Sequence, residues 1–312
     1  MKRVCIGIIA LAALVGCAKS GADSSILPPA PAGAQAMSMT GRPLAAAAPS
    51  PAVREKYEAA RTAAEADPGD ADKLIWRGRW AAYTGDHREA IRVFSRGIRK
   101  FPGDARFYRH RGHRYISIRA FDRAVRDLER AATLIEGKPD ETEPDGDPNP
   151  RGIPVSTLHS NIYYHLGLAY YLMRDLEKAL AVYRKGIATA PNDDMRAATA
   201  HWLYMTLRRL GRDDEAREAL EPIRAEMDVI ENTVYHRLCL FYKGELAEAE
   251  VTGEGGEATT NDAAAYGLGN WRFCNGDAAG AREVFARILE GRSWASFGYI
   301  AAEADLAWNM IH

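Results

Sequence analysis

A period of 34 residues constrains this chain more than any other feature of its sequence. Four positions, Gly78, Ala90, Phe94 and Gly97, recur 34 residues later as Gly112, Ala124, Leu128 and Ala131, while Pro102 is replaced by Glu136. Small residues at such places let two antiparallel helices approach closely, and a bulky residue fills the gap beside them. One helix pair cannot bury its own apolar face, so neighbouring pairs must stack. The period therefore predicts an array of helix pairs without a single central core.

The same spacing extends through most of the chain. We predict repeats near 71–104, 105–136, 160–193, 197–230 and 262–293, with a degenerate unit at 230–251. An Ala-rich segment from Val53 to Ala66 is predicted to form an N-terminal capping helix, and Trp294 to Met310 an amphipathic C-terminal capping helix. Residues 53–312 are thus predicted to form one helical array.

The spacing is clearest at 160–193, where Gly167, Ala179, Tyr183, Gly186 and Pro191 all fall on the pattern. With a small residue at the eighth place and Ala-x3-Phe in the second half, the region from Val53 to Met310 resembles the tetratricopeptide-repeat (TPR) superfamily. This resemblance implies an all-α, right-handed TPR superhelix, an α-solenoid of about five to six helix-turn-helix repeats. It implies no particular ligand, because TPR function depends on variable surface positions.

One segment interrupts the repeats. Residues 137–157 contain five acids and five prolines. A segment of this length is too long for a turn between repeat helices. We predict a solvated acidic loop that proteases cut first. Oxygen-bearing residues alternate from Asp145 to Asn149, as in a calcium loop, but the following Gly and the distal Glu are lacking.

The N-terminus predicts the compartment. A basic Met1–Arg3 precedes a short apolar run that ends in Leu14-Val15-Gly16-Cys17. This junction is similar to a bacterial lipobox, which implies a signal peptide at 1–16 and lipidation of Cys17. An ordinary secretory signal is the alternative. Ala18 after the cysteine favours the outer membrane, facing the periplasm. Residues 17–52 are rich in Ala and Pro and are predicted to be a disordered tether. Together, lipobox and repeats resemble bacterial TPR lipoproteins of a group without assigned activity.

Two cysteines remain in the predicted folded region, Cys239 and Cys274. An oxidising compartment permits a disulfide. Both lie on predicted helices of neighbouring repeats, where the required Cα separation is hard to meet. Two buried thiols are therefore favoured, and pairing stays open.

Charge is distributed unevenly along the chain. Residues 71–130 carry 16 Lys and Arg against 7 Asp and Glu, whereas residues 131–312 carry 18 against 29. Such asymmetry favours oriented association with a charged partner. A basic stripe also follows the second helices of the first two repeats, for which a solvated, ion-paired face is favoured over a lipid-binding one. Its members are Arg88, Arg92, Arg96, Arg99, Arg123, Arg126 and Arg130.

The resemblance also implies where a partner would bind. In TPR proteins the concave groove is lined by places two, five, nine, twelve and thirteen of each first helix. The candidate groove residues here are Arg79, Arg106, Arg109, His113, Tyr164 and Tyr171. Arginine suits a carboxylate, most simply a peptide C-terminus, and tyrosine suits neighbouring apolar groups. The family's carboxylate clamp uses Lys and Asn where this chain has Arg109 and His113, and a merely solvated arginine face is the alternative. Farther along, Tyr266, Asn270 and Phe273 predict an aromatic end of the groove.

These features predict an interaction protein. The expected function is a membrane-anchored scaffold or adaptor that binds a peptide or protein partner in the cell envelope, without cofactor, metal or nucleic acid. His110 and His113 have a spacing that can bind zinc, but no third ligand accompanies them. The alternative is a solute-binding lipoprotein that serves a periplasmic transporter, for which an enclosed pocket would be expected instead of an open groove. No catalytic motif is found, so an enzyme is the least favoured class.

Overall fold

The computed structural model describes residues 27–251 and 262–308 and confirms the predicted all-α solenoid. The described residues form thirteen α-helices and one two-stranded sheet. The helices are α1 (Pro51–Ala66), α2 (Ala71–Tyr83), α3 (His87–Lys100), α4 (Ala105–Ser117), α5 (Phe121–Ile135), α6 (Leu158–Leu172), α7 (Leu176–Ala188), α8 (Asp193–Arg209), α9 (Asp213–Leu220), α10 (Thr233–Lys243), α11 (Asp262–Cys274), α12 (Ala278–Glu290) and α13 (Phe297–Ala307). Among the described residues, no helix combines the length and the apolar character needed to cross a membrane.

The spacing of small and bulky residues has a direct structural cause. In four helix pairs a glycine of the first helix faces a bulky side chain of the second, so closely that a Cβ would lie under 3.0 Å from it. These contacts are Gly78 with Phe94, Gly112 with Leu128, Gly167 with Tyr183 and Gly269 with Phe285. Each bulky partner is fully buried. The repeat pattern thus records the sites where two helices of a pair touch.

The segment that follows α9 departs from the regular pair. After α10, a single 3-10 turn at Glu248–Glu250 stands where a second helix would be expected. Gly244 ends α10 in the left-handed conformation, with φ of 77°. The Cys239 thiol is buried and donates to the Ala197 carbonyl at 3.7 Å, and Cys239 and Cys274 are both free.

Residues 27–50 correct the prediction of a disordered tether. Strand β1 (Ala36–Met37) pairs antiparallel with β2 (Pro43–Leu44), and Ala36 and Leu44 are buried. Backbone carbonyls of this segment accept hydrogen bonds from Arg88 of α3 and from Trp294. Small side chains therefore let the backbone itself pack between the two ends of the array, which composition alone does not reveal. The predicted signal peptide, Cys17 and the predicted tether up to residue 26 lie outside the described residues.

The C-terminal helix α13 does more than cap the last repeat. It packs on α11 and α12, and it also reaches α6 in the middle of the chain. Glu303 of α13 forms an ion pair with Arg119 of the second repeat, with 2.7 Å between Oε2 and Nη2. The last helix therefore meets the first repeats, and the array closes on its concave side.

The insertion at 137–157 is also a packed element, contrary to the prediction of a solvated loop. Its two ends pair at Thr142 and Thr157, and the Glu143 amide donates to the Ser156 carbonyl at 3.0 Å. Asp140 accepts from Thr157 Oγ1 and from the His159 amide at the start of α6. Asp140 and Glu143 therefore make specific contacts, whereas Glu141 and Asp147 are exposed, so the number of acids does not by itself predict solvation.

Candidate functional site

The concave side contains a half-enclosed cavity of about 370 Å3. First helices of consecutive pairs, α2, α4, α6, α8 and α10, supply its walls, and Phe297 of α13 contributes from the closing end. Val155 and Ser156 of the insertion complete the lining. The cavity is therefore the part of the predicted groove that the chain leaves unfilled.

Four of the six predicted groove residues meet at this cavity: Arg79, Arg109, His113 and Tyr164 line it. Arg106 does not, because Asp104 at the start of α4 and Asp72 of α2 hold its guanidinium at the surface, at 2.7 and 2.6 Å. Tyr171 lies deeper, where its hydroxyl contacts Tyr266 at 2.8 Å. The structure thus corrects two of the six predicted positions.

Arg109 is already occupied by a carboxylate of its own chain. Its Nη2 lies 2.8 Å from Oε2 of Glu143 in the insertion, and both side chains are buried. Asn161 of α6 donates to the same Oε2 at 3.0 Å. Burial raises the pKa of Glu143, and Arg109 opposes that shift. The carboxylate that was predicted to come from a partner is therefore supplied to Arg109 by Glu143 of the same chain.

Arg79 holds the residue next to Glu143. Its Nη1 donates to the Pro144 carbonyl at 2.7 Å, and its guanidinium stacks over the Trp76 ring at 4.3 Å. Arg79 and Arg109 together bind an extended acidic segment through one side chain and one backbone carbonyl.

Three neutral histidines line the cavity beside these arginines. The His110 Nδ1 accepts from Arg109 Nη1 at 2.8 Å, and the His165 Nδ1 donates to the Asn161 carbonyl at 2.6 Å. The His113 ring lies 4.2 Å from that of His165. Burial, followed by the charge of nearby arginines, lowers the pKa of all three well below its ordinary value. The histidines therefore add no positive charge near neutral pH.

Arg114 is a lining residue that the sequence reasoning missed. It lies one turn after His110 on α4, at the tenth place of the second repeat, which is not among the expected groove places. Its guanidinium forms no ion pair or hydrogen bond with the described residues. Its four-residue spacing from His110 could have revealed it, because side chains at that spacing share a helix face.

The predicted aromatic end of the groove is a buried network beneath α13. Asp305 of α13 accepts from Arg209 Nη2 at 2.7 Å and from the Tyr266 hydroxyl at 2.9 Å. The Asn270 side-chain carbonyl accepts from Arg209 Nε at 2.6 Å. Phe273 lies under the Arg209 guanidinium at 4.4 Å. These side chains hold the closing helix in place and do not face an open groove.

The outer basic stripe forms ion pairs in part. Arg92 and Arg96 both lie within 3.4 Å of Glu89, and all three are at least partly exposed. Exposed pairs of this kind contribute little free energy, so this part of the stripe is described well by a solvated face. Arg88, in contrast, donates to the Pro28 carbonyl of the N-terminal segment.

Comparison with known proteins agrees with the repeat architecture. Residues 160–193 match the tetratricopeptide repeat. This repeat comprises α6 and α7, and α6 supplies Asn161, Tyr164 and His165 to the cavity. No curated protein sequence matches the chain.

Several solved structures of repeat proteins are similar to parts of the chain. A crystal structure of MamA is 22% identical, and the match covers 52% of this chain and 81% of that one, with a TM-score of 0.41. YrrB, described as a TPR protein with an unusual peptide-binding site, is 16% identical over 77% and 96% of the two chains, with a TM-score of 0.42. The Cut9–Hcn1 hetero-tetramer of APC/C is 13% identical over 76% and 36%, with a TM-score of 0.47. Such low identities carry no functional argument. The repeat matched at residues 160–193 is of a kind typical of interaction scaffolds, which use the concave surface of stacked repeats.

Proposed function

We propose that this protein is a lipid-anchored scaffold of the bacterial cell envelope that binds an acidic segment of a partner protein on its concave side. The anchor would be Cys17 after removal of residues 1–16, and the outer membrane, facing the periplasm, is the proposed location. The Leu14-Val15-Gly16-Cys17 junction supports the anchor. The TPR fold supports the role of scaffold.

The observation that carries the proposal is the contact between Glu143 and Arg109. The insertion lies on the concave side as an extended acidic segment, with its carboxylate on Arg109 and the next carbonyl on Arg79. Arginine binds carboxylates well because it offers several donors in one plane. The chain's own segment therefore displays the chemistry that a partner would use at the same place.

The internal segment would compete with a partner for this site. A tethered ligand has a high effective concentration, about millimolar for a short linker. A buried ion pair, however, adds little net stability because desolvation offsets much of the attraction. A partner segment with the same carboxylate and additional contacts could therefore displace residues 141–147.

A labelled peptide with the sequence of residues 139–149 tests the binding. We expect weak, salt-sensitive binding to the mature full-length protein. The Glu143→Gln variant should bind it at least several-fold more tightly, since the internal segment has lost its charge. Asp147→Asn is the matched control, because Asp147 is an exposed acid of the same segment. Equal affinity of the three proteins, or no binding to any of them, would contradict the proposal.

The anchor is tested separately. Cys17→Ala should release the protein from membranes and remove the mass of the acyl chains. A variant that stays bound, together with wild type that carries no acyl mass, would exclude lipidation. The comparisons offer no support for the alternative of serving a periplasmic transporter.

A further inference from the structure

Arg114 is a cation that the cavity leaves without a partner. Its guanidinium lines the cavity and makes no hydrogen bond or ion pair with the residues that the structure describes. Burial, and then the charges of Arg109 and Arg79, lower the pKa of Arg114 to about 9. It therefore stays charged at neutral pH. Arg114 is only partly exposed. A charge with little access to water is unfavourable unless an anion pairs with it, so this side chain is suited to a ligand.

The other charges of the cavity are already engaged. Arg109 is paired with Glu143, and Arg79 is used by the Pro144 carbonyl and the Trp76 ring. Glu231, an acid of the lining, is exposed and accepts from Asn149 at 2.7 Å. Three arginines of the lining thus face two carboxylates, those of Glu143 and Glu231, and the remaining single positive charge matches one negative charge on a ligand.

Most of the remaining wall consists of rings and apolar groups, and Ser156, Asn161 and Asn232 are its uncharged polar members. Phe297 lies 5.2 Å from His113 and 6.0 Å from Tyr164, measured between ring centroids. Phe94, Met195 and Val155 also line the cavity, and they carry only apolar groups. Since the histidines are neutral, these walls favour an uncharged, apolar body over a second anionic group. The volume of about 370 Å3 is within the range of small-molecule sites.

We propose that this cavity binds a small organic monocarboxylate with an aromatic or aliphatic body, its carboxylate on Arg114 and its body against Phe297 and His113. This goes beyond the proposed binding of an acidic segment, which depends on Arg109. Inorganic phosphate is disfavoured, because a dianion would bring more charge than Arg114 can neutralise and would gain nothing from the apolar walls.

Calorimetric titration of the mature full-length protein with benzoate, hexanoate, benzamide, acetate and inorganic phosphate tests the proposal. We expect saturable binding of benzoate or hexanoate, at least tenfold weaker binding of acetate, which lacks the body, and none of the uncharged benzamide. Equal binding of benzamide would overturn the role of Arg114. Preference for phosphate, or no binding of either larger carboxylate, would overturn the ligand class.

Variants place the ligand in the cavity. Arg114→Gln should weaken binding of the carboxylate at least tenfold, and Arg114→Lys, which keeps the charge but not the planar fork, should weaken it less. Arg130→Gln is the control, since Arg130 is exposed on α5. The Gln variant should fold, because it removes an unpaired cation, and circular dichroism with the melting temperature checks this. Unchanged affinity in Arg114→Gln would contradict the proposal. Arg114→Gln should leave binding of the peptide 139–149 unchanged, so the two proposals can fail independently.

Discussion

Arg119 and Glu303 are 184 positions apart in the chain, yet their side chains are joined by an ion pair of 2.7 Å and both are almost fully buried. Oε1 of the same carboxylate accepts from the Met39 amide at 2.6 Å. A single glutamate thus joins the second repeat, the last helix and the N-terminal hairpin. The pair closes the solenoid and leaves a cavity where an open groove would be expected.

The backbone at Arg119 leads to a first prediction. Each turn between the paired helices contains one residue with positive φ. This residue is a glycine at positions 85, 211 and 276. At positions 119 and 174 it is an arginine, with φ of 63° and 66°. Arg119→Gly relieves strain but leaves Glu303 buried without its partner, so we expect a net loss of about 3–5 kcal/mol. Urea denaturation measures it.

Arg174→Gly is the matched control. Arg174 is exposed and its guanidinium forms no hydrogen bond or ion pair with the described residues, so this change should raise stability by up to about 1 kcal/mol. If Arg174→Gly also loses stability, the loss in Arg119→Gly would come from replacing arginine in the left-handed turn and not from breaking the ion pair with Glu303.

Protection of the insertion from trypsin provides a second prediction. Arg151 is exposed near the tip of the insertion, where it pairs with Asp228 at 2.6 Å. Cleavage after Arg151 requires local opening, which the contact between Glu143 and Arg109 opposes. We expect Glu143→Gln to be cut there several-fold faster than wild type and Asp147→Asn at the wild-type rate, by mass spectrometry of timed digests. Identical rates in all three proteins would show that this contact does not hold the segment.

The buried histidines predict a third behaviour, acid sensitivity. Burial lowers the pKa of His87 and His201 to about 3 and that of His110, His113 and His165 well below the ordinary value. Below about pH 6.5 the unfolded chain therefore binds protons that the folded chain does not. Stability is fully present above that pH and decreases as the pH falls towards 3, by roughly 1.4 kcal/mol per pH unit for each histidine.

His201→Gln tests this origin. Urea midpoints at several pH values between 4 and 8 should give a slope against pH that is smaller by about one proton than in wild type. Parallel curves would mean that His201 titrates in the folded protein as it does in the unfolded chain.

A fourth prediction concerns the close contact between repeats. Gly97 of α3 lies against the fully buried Phe107 ring of α4, so that a Cβ would overlap the ring. Gly97→Ala should destabilise the protein by about 1–3 kcal/mol. At Gly103 a Cβ would meet nothing within 4 Å. Gly103→Ala should therefore be neutral or slightly stabilising, and calorimetric melting of both variants compares them. Equal melting temperatures would contradict the tight contact.

Much of the fold follows from the sequence because the information is local. Gly112 and Leu128 are only 16 residues apart, and their contact is repeated in other pairs, so periodicity reveals it. Helix ends are also set locally, as where Asp70 and Asp104 accept hydrogen bonds from the first amides of α2 and α4. The family pattern likewise placed Arg79, Arg109, His113 and Tyr164 on one concave side.

Which groups occupy the concave side could be learned only from the tertiary structure. The acids of 137–157 suggested solvation, and only the folded chain places Glu143 on Arg109. Likewise, the hairpin before α1 and helix α13 close the array through contacts between residues far apart in sequence. Periodicity cannot encode such contacts, because they occur once and depend on how the stacked repeats curve. The sequence by itself thus determined the helix pairs. The tertiary structure decided that their concave side is closed around a cavity, with an arginine that has no ion-pair partner among the described residues.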